Sequence, residues 1–288
     1  MSSPSILLGV VLFILAFGLI VGSFLNVVIY RLPVSMLKNW KKECLEFLEN
    51  NKDKDTDEGS FNIAFPASHC PKCKAKVKPW QNIPVISYLL LKGRCASCGC
   101  NISLRYPIIE IVTGALTVFC IFQFGLTAQG GLALVLTWAL ISLTMIDIDH
   151  QLLPDNITLP LLWLGLIANA VNSFTDLHSA LYGAVFGYLT LWSVYWLFKI
   201  VTGKEGMGFG DFKLLAALGA WMGWQMLPLI IILSSFVGAV IGIGGIIIQG
   251  RDKNVPIPFG PYLAIAGWIA FFWGDAISSA YLQFAKVG

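Results

Sequence analysis

The stretch ILLGVVLFILAFGLIVGSFLNVVIY, residues 6–30, contains no charged side chain and decides the class of this protein. An apolar segment of about 20 residues is long enough to cross the hydrocarbon core of a bilayer as a helix. A cleaved signal peptide would carry basic residues before an apolar core of about 7–15 residues, and this stretch has neither feature. We therefore predict a retained transmembrane helix.

The rest of the chain repeats this apolar character. Hydrophobic residues make up 57% of the sequence and charged residues 12%, about half the charged share of a typical soluble domain. Seven more apolar runs are candidate spans, at residues 108–124, 130–146, 157–171, 180–200, 214–226, 227–248 and 259–282. The sequence predicts an all-α polytopic membrane protein with about eight transmembrane helices. The short run at 214–226 is also compatible with a re-entrant segment.

The basic residues predict how these helices are oriented. Lys and Arg favour the cytoplasmic side of a membrane. With eight spans and an external N-terminus, all of the 19 basic residues except Lys286 face the cytoplasm. A re-entrant 214–226 segment would place Arg251 and Lys253 outside, so the charge distribution favours eight spans. The net charge of +3 then reflects orientation and gives no indication of nucleic-acid binding.

One polar insertion, residues 31–104, interrupts the apolar pattern and divides the chain into three parts. We predict a first transmembrane helix over residues 1–30, a cytoplasmic insertion over 31–104 and a seven-helix membrane domain over 105–288. Residues 38–60 of the insertion mix positive and negative charges, which predicts a solvated helix followed by a loop.

The second half of the insertion carries two Cys-x-x-Cys pairs, CPKC and CASC. Four thiolates in this pattern predict a closed tetrahedral zinc site, which is structural because no position is left for water. Disulfides are the alternative, but the reducing cytoplasm disfavours them. Cys100 and His69 are open as substitute ligands, and Cys44 and Cys120 are expected to play no part. The predicted ligands are Cys70, Cys73, Cys95 and Cys98.

Acidic residues lie where two apolar segments meet the same membrane face. IDIDHQLLPD, residues 146–155, ends the third span, and GMGFGDFK, residues 206–213, precedes the sixth. Under the eight-span orientation both segments lie at the cytoplasmic face. Two neighbouring carboxyl groups share a proton, so that one can activate water while the other protonates a peptide carbonyl. Gly208 and Gly210, which lack Cβ atoms, would let a substrate backbone lie close to Asp211.

Other interpretations of these residues stay open. Asp211 alone could simply cap a helix, and Asp149 and Asp155 are typical of interfacial residues, with Asp155 capping the helix expected near residue 157. Glu110 is either a snorkelling interfacial group or part of a cytoplasm-facing site. Competing hydrolytic patterns are missing from the sequence, which contains three His residues and neither HExxH nor GxSxG.

Several motifs together resemble those of the bacterial type IV prepilin peptidases. They occur in the family's order over nearly the whole chain, although residues 38–60 match least. The motifs are GSFLNVVIYRLP (22–33), the two cysteine pairs, RYPIIE (105–110), IDIDHQLLPD (146–155) and GMGFGDFKLLAALGAWMGW (206–224). The resemblance implies an aspartic endopeptidase of the bacterial inner membrane, within the GxGD group. It also implies the catalytic residues. The first is Asp147, which stands seven residues before the proline of a Leu-Pro pair, Pro154, and the second is Asp211 of the GxGD motif.

The resemblance further implies substrates and cofactors. The family removes the basic leader of type IV prepilins and type II secretion pseudopilins after a glycine, then methylates the new N-terminus with S-adenosyl-L-methionine. The cysteine pairs would be the family's zinc-binding insertion. No GxGxxG motif marks the methyl-donor site. We expect that site near residues 22–33 and 105–110, with Glu110 as its candidate residue.

Two functions from other classes stay open. A transporter or proton channel would carry protons on intramembrane Asp147, Asp211 and Glu110, but it would not explain a zinc module. A non-enzymatic assembly factor would present the zinc module to partners. For the peptidase, the expected partners are prepilin and pseudopilin substrates and membrane lipid.

Overall fold

The computed structural model describes residues 4–48, 62, 67–249 and 258–287. Within these residues the backbone is mainly helical, and strand pairing is limited to two isolated bridges, His69 with Lys76 and Arg94 with Asn101. The predicted all-α class is confirmed. The helices are α1 (Pro4–Leu48), α2 (Ile86–Leu90), α3 (Arg105–Phe124), α4 (Ala128–His150), α5 (Asp155–Ala170), α6 (Leu177–Thr202), α7 (Phe209–Met222), α8 (Leu227–Gln249) and α9 (Gly260–Val287).

Six of the described helical segments are long and apolar enough to cross a membrane, which confirms a multi-pass membrane protein. They lie in α1, α3, α4, α6, α8 and α9. Helices also form at the two other predicted positions, but α5 has 16 residues and α7 has 14. At 1.5 Å per residue α7 is about 21 Å long, shorter than the roughly 30 Å hydrocarbon core. The count of eight spans stays a prediction.

The first helix continues past Tyr30, where we predicted the first span to end. It passes through Pro33 and ends at Leu48, so the start of the polar insertion is helical. Strong helix formers dominate residues 37–48, and Lys42 and Glu46 form an i,i+4 ion pair at 3.7 Å. The helix predicted within residues 38–60 is confirmed as far as Leu48; residues 49–60 lie outside the described residues.

The chain divides into two compact units, Met1–Leu134 and Val135–Gly288. In the first unit, α1 packs along α3. A Cβ atom added at Gly18 would lie 2.7 Å from Cβ of Thr117, and one at Gly22 would lie 2.7 Å from Cα of Glu110. Small residues at this spacing let two membrane helices approach closely. The three-part division predicted from the sequence stays a prediction.

In the second unit, α7 lies at the centre and packs against α5, α6 and α9. Its residues from Asp211 to Trp221 are buried, except Lys213. Against α6 the backbones themselves touch: a Cβ atom at Gly219 would lie 2.2 Å from the carbonyl oxygen of Gly183. A helix that is apolar around its circumference lies in a protein core or in a membrane, and α7 is covered by other helices. Neighbouring helices therefore fix the position of α7.

The C-terminal end of α7 is tied to α5 by hydrogen bonds. Nδ2 of Asn169 donates to the carbonyl oxygens of Ala220 and Trp221 at 2.8 and 3.0 Å, which satisfies acceptors left over at a helix C-terminus. Nε1 of Trp221 donates to the carbonyl oxygen of Leu161 at 2.8 Å. Because α7 is held at this end and packed along its length, its first turn has a defined position.

Candidate active site and metal centre

The structure brings Asp147 and Asp211 together in the second unit. Asp147 lies near the C-terminal end of α4 and Asp211 in the first turn of α7. Their side chains are 5% and 7% exposed, and the charge of Asp147 acts on the Asp211 carboxyl group. An ionisable group placed in such surroundings is costly, and a pair of them is typical of a functional site.

The first helical turn of α9 contributes a contact to Asp147. The backbone N–H of Gly260 donates to Oδ2 of Asp147 at 3.1 Å. A Cβ atom at Gly260 would lie 2.7 Å from the same oxygen, so this backbone approaches as closely as only glycine permits. A helix N-terminus also favours a negative charge. Gly260 was missed by sequence reasoning; the only local signal is its position before Pro261 at the start of an apolar run.

Asp211 has an oxygen without a protein partner. Oδ1 is buried and makes no hydrogen bond in the structure. Buried carboxylate oxygens are normally hydrogen-bonded, so an exception needs an explanation such as a catalytic role. The capping alternative for Asp211 is not supported, because Gly208 occupies the N-cap position of α7 without a side-chain bond.

The two glycines before Asp211 have different surroundings. A Cβ atom at Gly210 would lie 2.7 Å from Cβ of Leu153, so helix α7 packs against the segment between α4 and α5 there. At Gly208 the nearest atom to an added Cβ is Oδ2 of Asp211 at 3.9 Å. Open space beside the carboxylate therefore exists at Gly208. A substrate-binding role for Gly208 and Gly210 stays a prediction.

The remaining acidic residues of the 146–155 motif lie outside the pair. Asp149 is exposed on the last turn of α4. The expectation that Asp155 caps a helix near residue 157 is wrong: α5 begins at Asp155, Pro154 is at the N-cap, and no side-chain cap forms. Both carboxylate oxygens of Asp155 instead accept from Nζ of Lys213 at 2.7 Å, which links the start of α5 to the first turns of α7.

In the first unit, three of the four predicted zinc ligands converge. The sulfur atoms of four cysteines, Cys70, Cys95, Cys98 and Cys100, all lie within 4.8 Å of one another. The fourth predicted ligand, Cys73, is exposed and is not part of this group, but its thiol lies next to those of Cys70, Cys95 and Cys98. The structure thus adds Cys100 to the predicted ligands. Among the described residues, the cysteines form no disulfide.

The geometry of this thiol cluster fits zinc. A tetrahedral site with zinc–sulfur bonds of about 2.3 Å has sulfur–sulfur edges of about 3.8 Å. The Cys70 sulfur lies 3.8 Å from that of Cys98 and 3.6 Å from that of Cys100. Hydrogen bonds from the backbone N–H groups of Cys73 and Lys72 lower the pKa of Cys70 to about 6, which favours the thiolate that binds metal.

The other candidates named from the sequence are not in the cluster. Nδ1 of His69 lies 3.1 Å from the carbonyl oxygen of Ala67. Cys44 is exposed on α1, and Cys120 is buried in α3. Only Cys100, of the substitute ligands considered, lies beside the predicted four.

Glu110 has a protein environment rather than a lipid interface. Its carboxylate is 8% exposed, and Oε2 accepts from the backbone N–H of Val85 at 2.8 Å. The Ser23 hydroxyl also hydrogen-bonds to it. Val85 has φ +60° and ψ −48°, a strained turn for a β-branched residue. Glu110 thus ties α3 to α1 and to the turn before α2, and its role towards a cofactor stays a prediction.

The chain matches two protein-family models. Residues 16–124 match the bacterial peptidase A24 N-terminal domain, and residues 134–243 match the type IV leader peptidase family. Together these matches extend over most of both units.

Curated relatives match nearly the whole chain. The prepilin leader peptidase/N-methyltransferase of Stutzerimonas stutzeri is 56% identical over 97% of this chain and 96% of its own length. The protein of the same name from Pseudomonas aeruginosa is 56% identical over 96% and 95%. That from Legionella pneumophila is 48% identical over 93% of both. No solved structure matches the chain. The resemblance found in the motifs is confirmed, and this chain belongs to the type IV leader peptidase family.

Proposed function

We propose that this protein removes the basic leader from type IV prepilins and type II secretion pseudopilins, and then N-methylates the new N-terminal residue. The family and the names of the relatives support both activities. The same names give no support to a transporter, and a proton pathway would not need a thiol cluster. Substrates and membrane lipid are the partners we propose, with S-adenosyl-L-methionine as the methyl donor.

The observation that carries the proteolytic function is the buried pair of Asp147 and Asp211. Because the two carboxyl groups interact, they share a proton more readily than both ionise. The ionised carboxylate takes a proton from water as the water oxygen bonds to the peptide carbonyl carbon. The protonated carboxyl group gives its proton to the carbonyl oxygen. The C–N bond then breaks as the nitrogen takes a proton from the pair, and one hydroxyl of the tetrahedral intermediate returns its proton to the pair, which restores the singly protonated state.

Each carboxylate has a distinct setting for this chemistry. Asp147 is held by the Gly260 N–H, so its orientation is fixed before substrate arrives. Asp211 keeps Oδ1 without a partner, as a group that bonds to water or substrate during reaction would. The space beside Gly208 can admit an extended backbone. We infer that Asp147 and Asp211 are catalytic and that Gly208 lines the path of the substrate, while Gly210 supports this path by letting α7 pack closely against Leu153.

We place the reaction at the cytoplasmic face of the inner membrane. Six candidate membrane helices establish a multi-pass protein. The distribution of Lys and Arg supports the orientation, although Arg251 and Lys253 lie outside the described residues. A prepilin keeps its apolar segment in the bilayer while its basic leader is cytoplasmic, so the bond to be cut lies at that interface.

Two cofactors are expected, a structural zinc ion and a methyl donor. We propose that the thiol cluster, including Cys70, Cys73, Cys95 and Cys98, holds a structural zinc ion that stabilises the fold of residues 67–104. S-adenosyl-L-methionine supplies an activated methyl group when bound. Glu110 stays our candidate residue for its site; Oε2 accepts from the backbone N–H of Val85, which fixes the orientation of the carboxylate.

A cleavage assay tests the proposal. Purified Asp211→Asn protein in detergent should leave a prepilin uncut while it retains its helical circular dichroism and its zinc. Asp149→Asn is the matched control, since it changes a nearby exposed carboxylate and should cleave normally. Cleavage by Asp211→Asn at near the wild-type rate would show that the aspartic mechanism is wrong.

A further inference from the structure

The thiol cluster contains one more sulfur than zinc needs. A structural zinc ion takes four thiolates. Five cysteines lie together here: the sulfur of Cys100 lies within 4.8 Å of those of Cys70, Cys95 and Cys98, and the exposed thiol of Cys73 lies next to the same three thiols. The thiols of Cys70, Cys95 and Cys98 therefore belong to two possible sets of four ligands. The fourth ligand is Cys73 in one set and Cys100 in the other.

The backbone explains why Cys100 faces the cluster. The two Cys-x-x-Cys turns have the same hydrogen-bond pattern. In the first, the N–H of Cys70 donates to the carbonyl oxygen of Ala75 at 2.9 Å; in the second, the N–H of Cys95 donates to that of Cys100 at 2.8 Å. Cys100 thus occupies, in the second turn, the position that Ala75 occupies in the first.

The equivalence of the two turns extends beyond this pair. The fifth residue of each turn is left-handed, with φ +59° at Lys74 and φ +70° at Gly99. Flanking bridges also correspond, as His69 pairs with Lys76 and Arg94 pairs with Asn101. An alanine would suffice for the backbone at position 100, as it does at position 75. The thiol of Cys100 is therefore an addition to a complete turn and is not required to form it.

Distances show that Cys100 is placed as a ligand. Its sulfur lies 3.6 Å from that of Cys70, close to the roughly 3.8 Å edge of a zinc–thiolate tetrahedron. The equivalent edge from Cys70 to Cys98 is 3.8 Å.

We propose that Cys70, Cys95 and Cys98 are constant zinc ligands, and that Cys73 and Cys100 share the fourth ligand position. Zinc then exchanges one thiolate for another without losing its tetrahedral shell. The inference concerns the metal site alone and does not depend on the proposed proteolytic activity.

Metal content of the purified full-length protein tests this sharing. Cys73→Ser and Cys100→Ser should each retain about one zinc per chain, whereas Cys70→Ser and the double variant Cys73→Ser/Cys100→Ser should lose it. Cobalt substituted into either single variant should give the absorption of a tetrahedral four-thiolate site. Loss of zinc from Cys73→Ser, with Cys100 intact, would overturn the proposal.

A second measurement avoids any dependence on variant folding. In a Cys44→Ser background, which removes an exposed thiol on α1, the zinc-loaded protein is treated with an alkylating reagent and digested. Peptide mass spectrometry should find the label divided between Cys73 and Cys100, because each is released in part of the population. Label confined to either one of them would show that the fourth ligand is fixed and would contradict the sharing.

Discussion

A substitution at the contact between α6 and α7 should lower activity without changing any residue of the candidate active site. Gly219→Ala adds a methyl group 2.2 Å from the carbonyl oxygen of Gly183, where ordinary contact begins at 3.4 Å. The obstacle is backbone, so it cannot rotate away, and the helices must separate by roughly 1 Å. Overpacking of this kind costs about 1–3 kcal/mol. The displaced helix carries Asp211, so the damage extends from stability to function.

The expected loss of activity follows from that displacement. A misplacement of about 1 Å in a catalytic group lowers rates by about a hundredfold. Leader cleavage by Gly219→Ala, assayed in detergent with a purified prepilin, should fall by about that factor, and its unfolding temperature should also drop. Gly131→Ala is the control, because an added Cβ there meets nothing within 4 Å. Cleavage by Gly219→Ala within twofold of wild type would refute the argument that helix packing positions Asp211.

Three further outcomes are expected. Gly260→Ala places a Cβ 2.7 Å from Oδ2 of Asp147 and should lower cleavage about a hundredfold with unchanged helical content, as measured by circular dichroism. Trp221→Phe removes the hydrogen bond to Leu161 and should cost about 1–3 kcal/mol of stability, seen as a lower unfolding temperature in detergent. Zinc should be bound at pH 7 and lost progressively as the pH is lowered, because protons compete with the metal for the ligand thiolates; metal analysis after dialysis over a pH series measures this.

Much of the fold could be predicted because the membrane imposes simple rules. A bilayer requires long apolar helices, so the apolar runs marked the helices in order. Helix ends were harder to place. Continuation of α1 to Leu48 depends on good helix formers beyond the apolar run, and a Pro at position 33 does not stop the helix. Whether α7 spans the membrane could not be read from its sequence, because this short helix is buried by neighbouring helices and no local sequence pattern records those neighbours.

The candidate site was predictable where its residues lie in recognisable motifs. The acidic motifs indicated Asp147 and Asp211, and the spacing of the cysteine pairs indicated a metal site. Gly260 could not be found in this way, because it acts through its backbone on a residue 113 positions away. The geometry that brings Cys100 beside the predicted ligands was equally hidden, since it depends on the matching turns rather than on the Cys-x-x-Cys pattern.

The central claim is that Asp147 and Asp211 act as one catalytic unit, and a double-variant comparison tests it most directly. Leader cleavage is measured for Asp147→Asn, Asp211→Asn and the protein carrying both changes, with zinc content and circular dichroism confirming that each is folded. If the two carboxyl groups share one proton and one task, each single change should lower the rate roughly a thousandfold or more, and the double change should lower it no further. Losses that multiply in the double variant, or a single variant that keeps a tenth of the wild-type rate, would contradict the account.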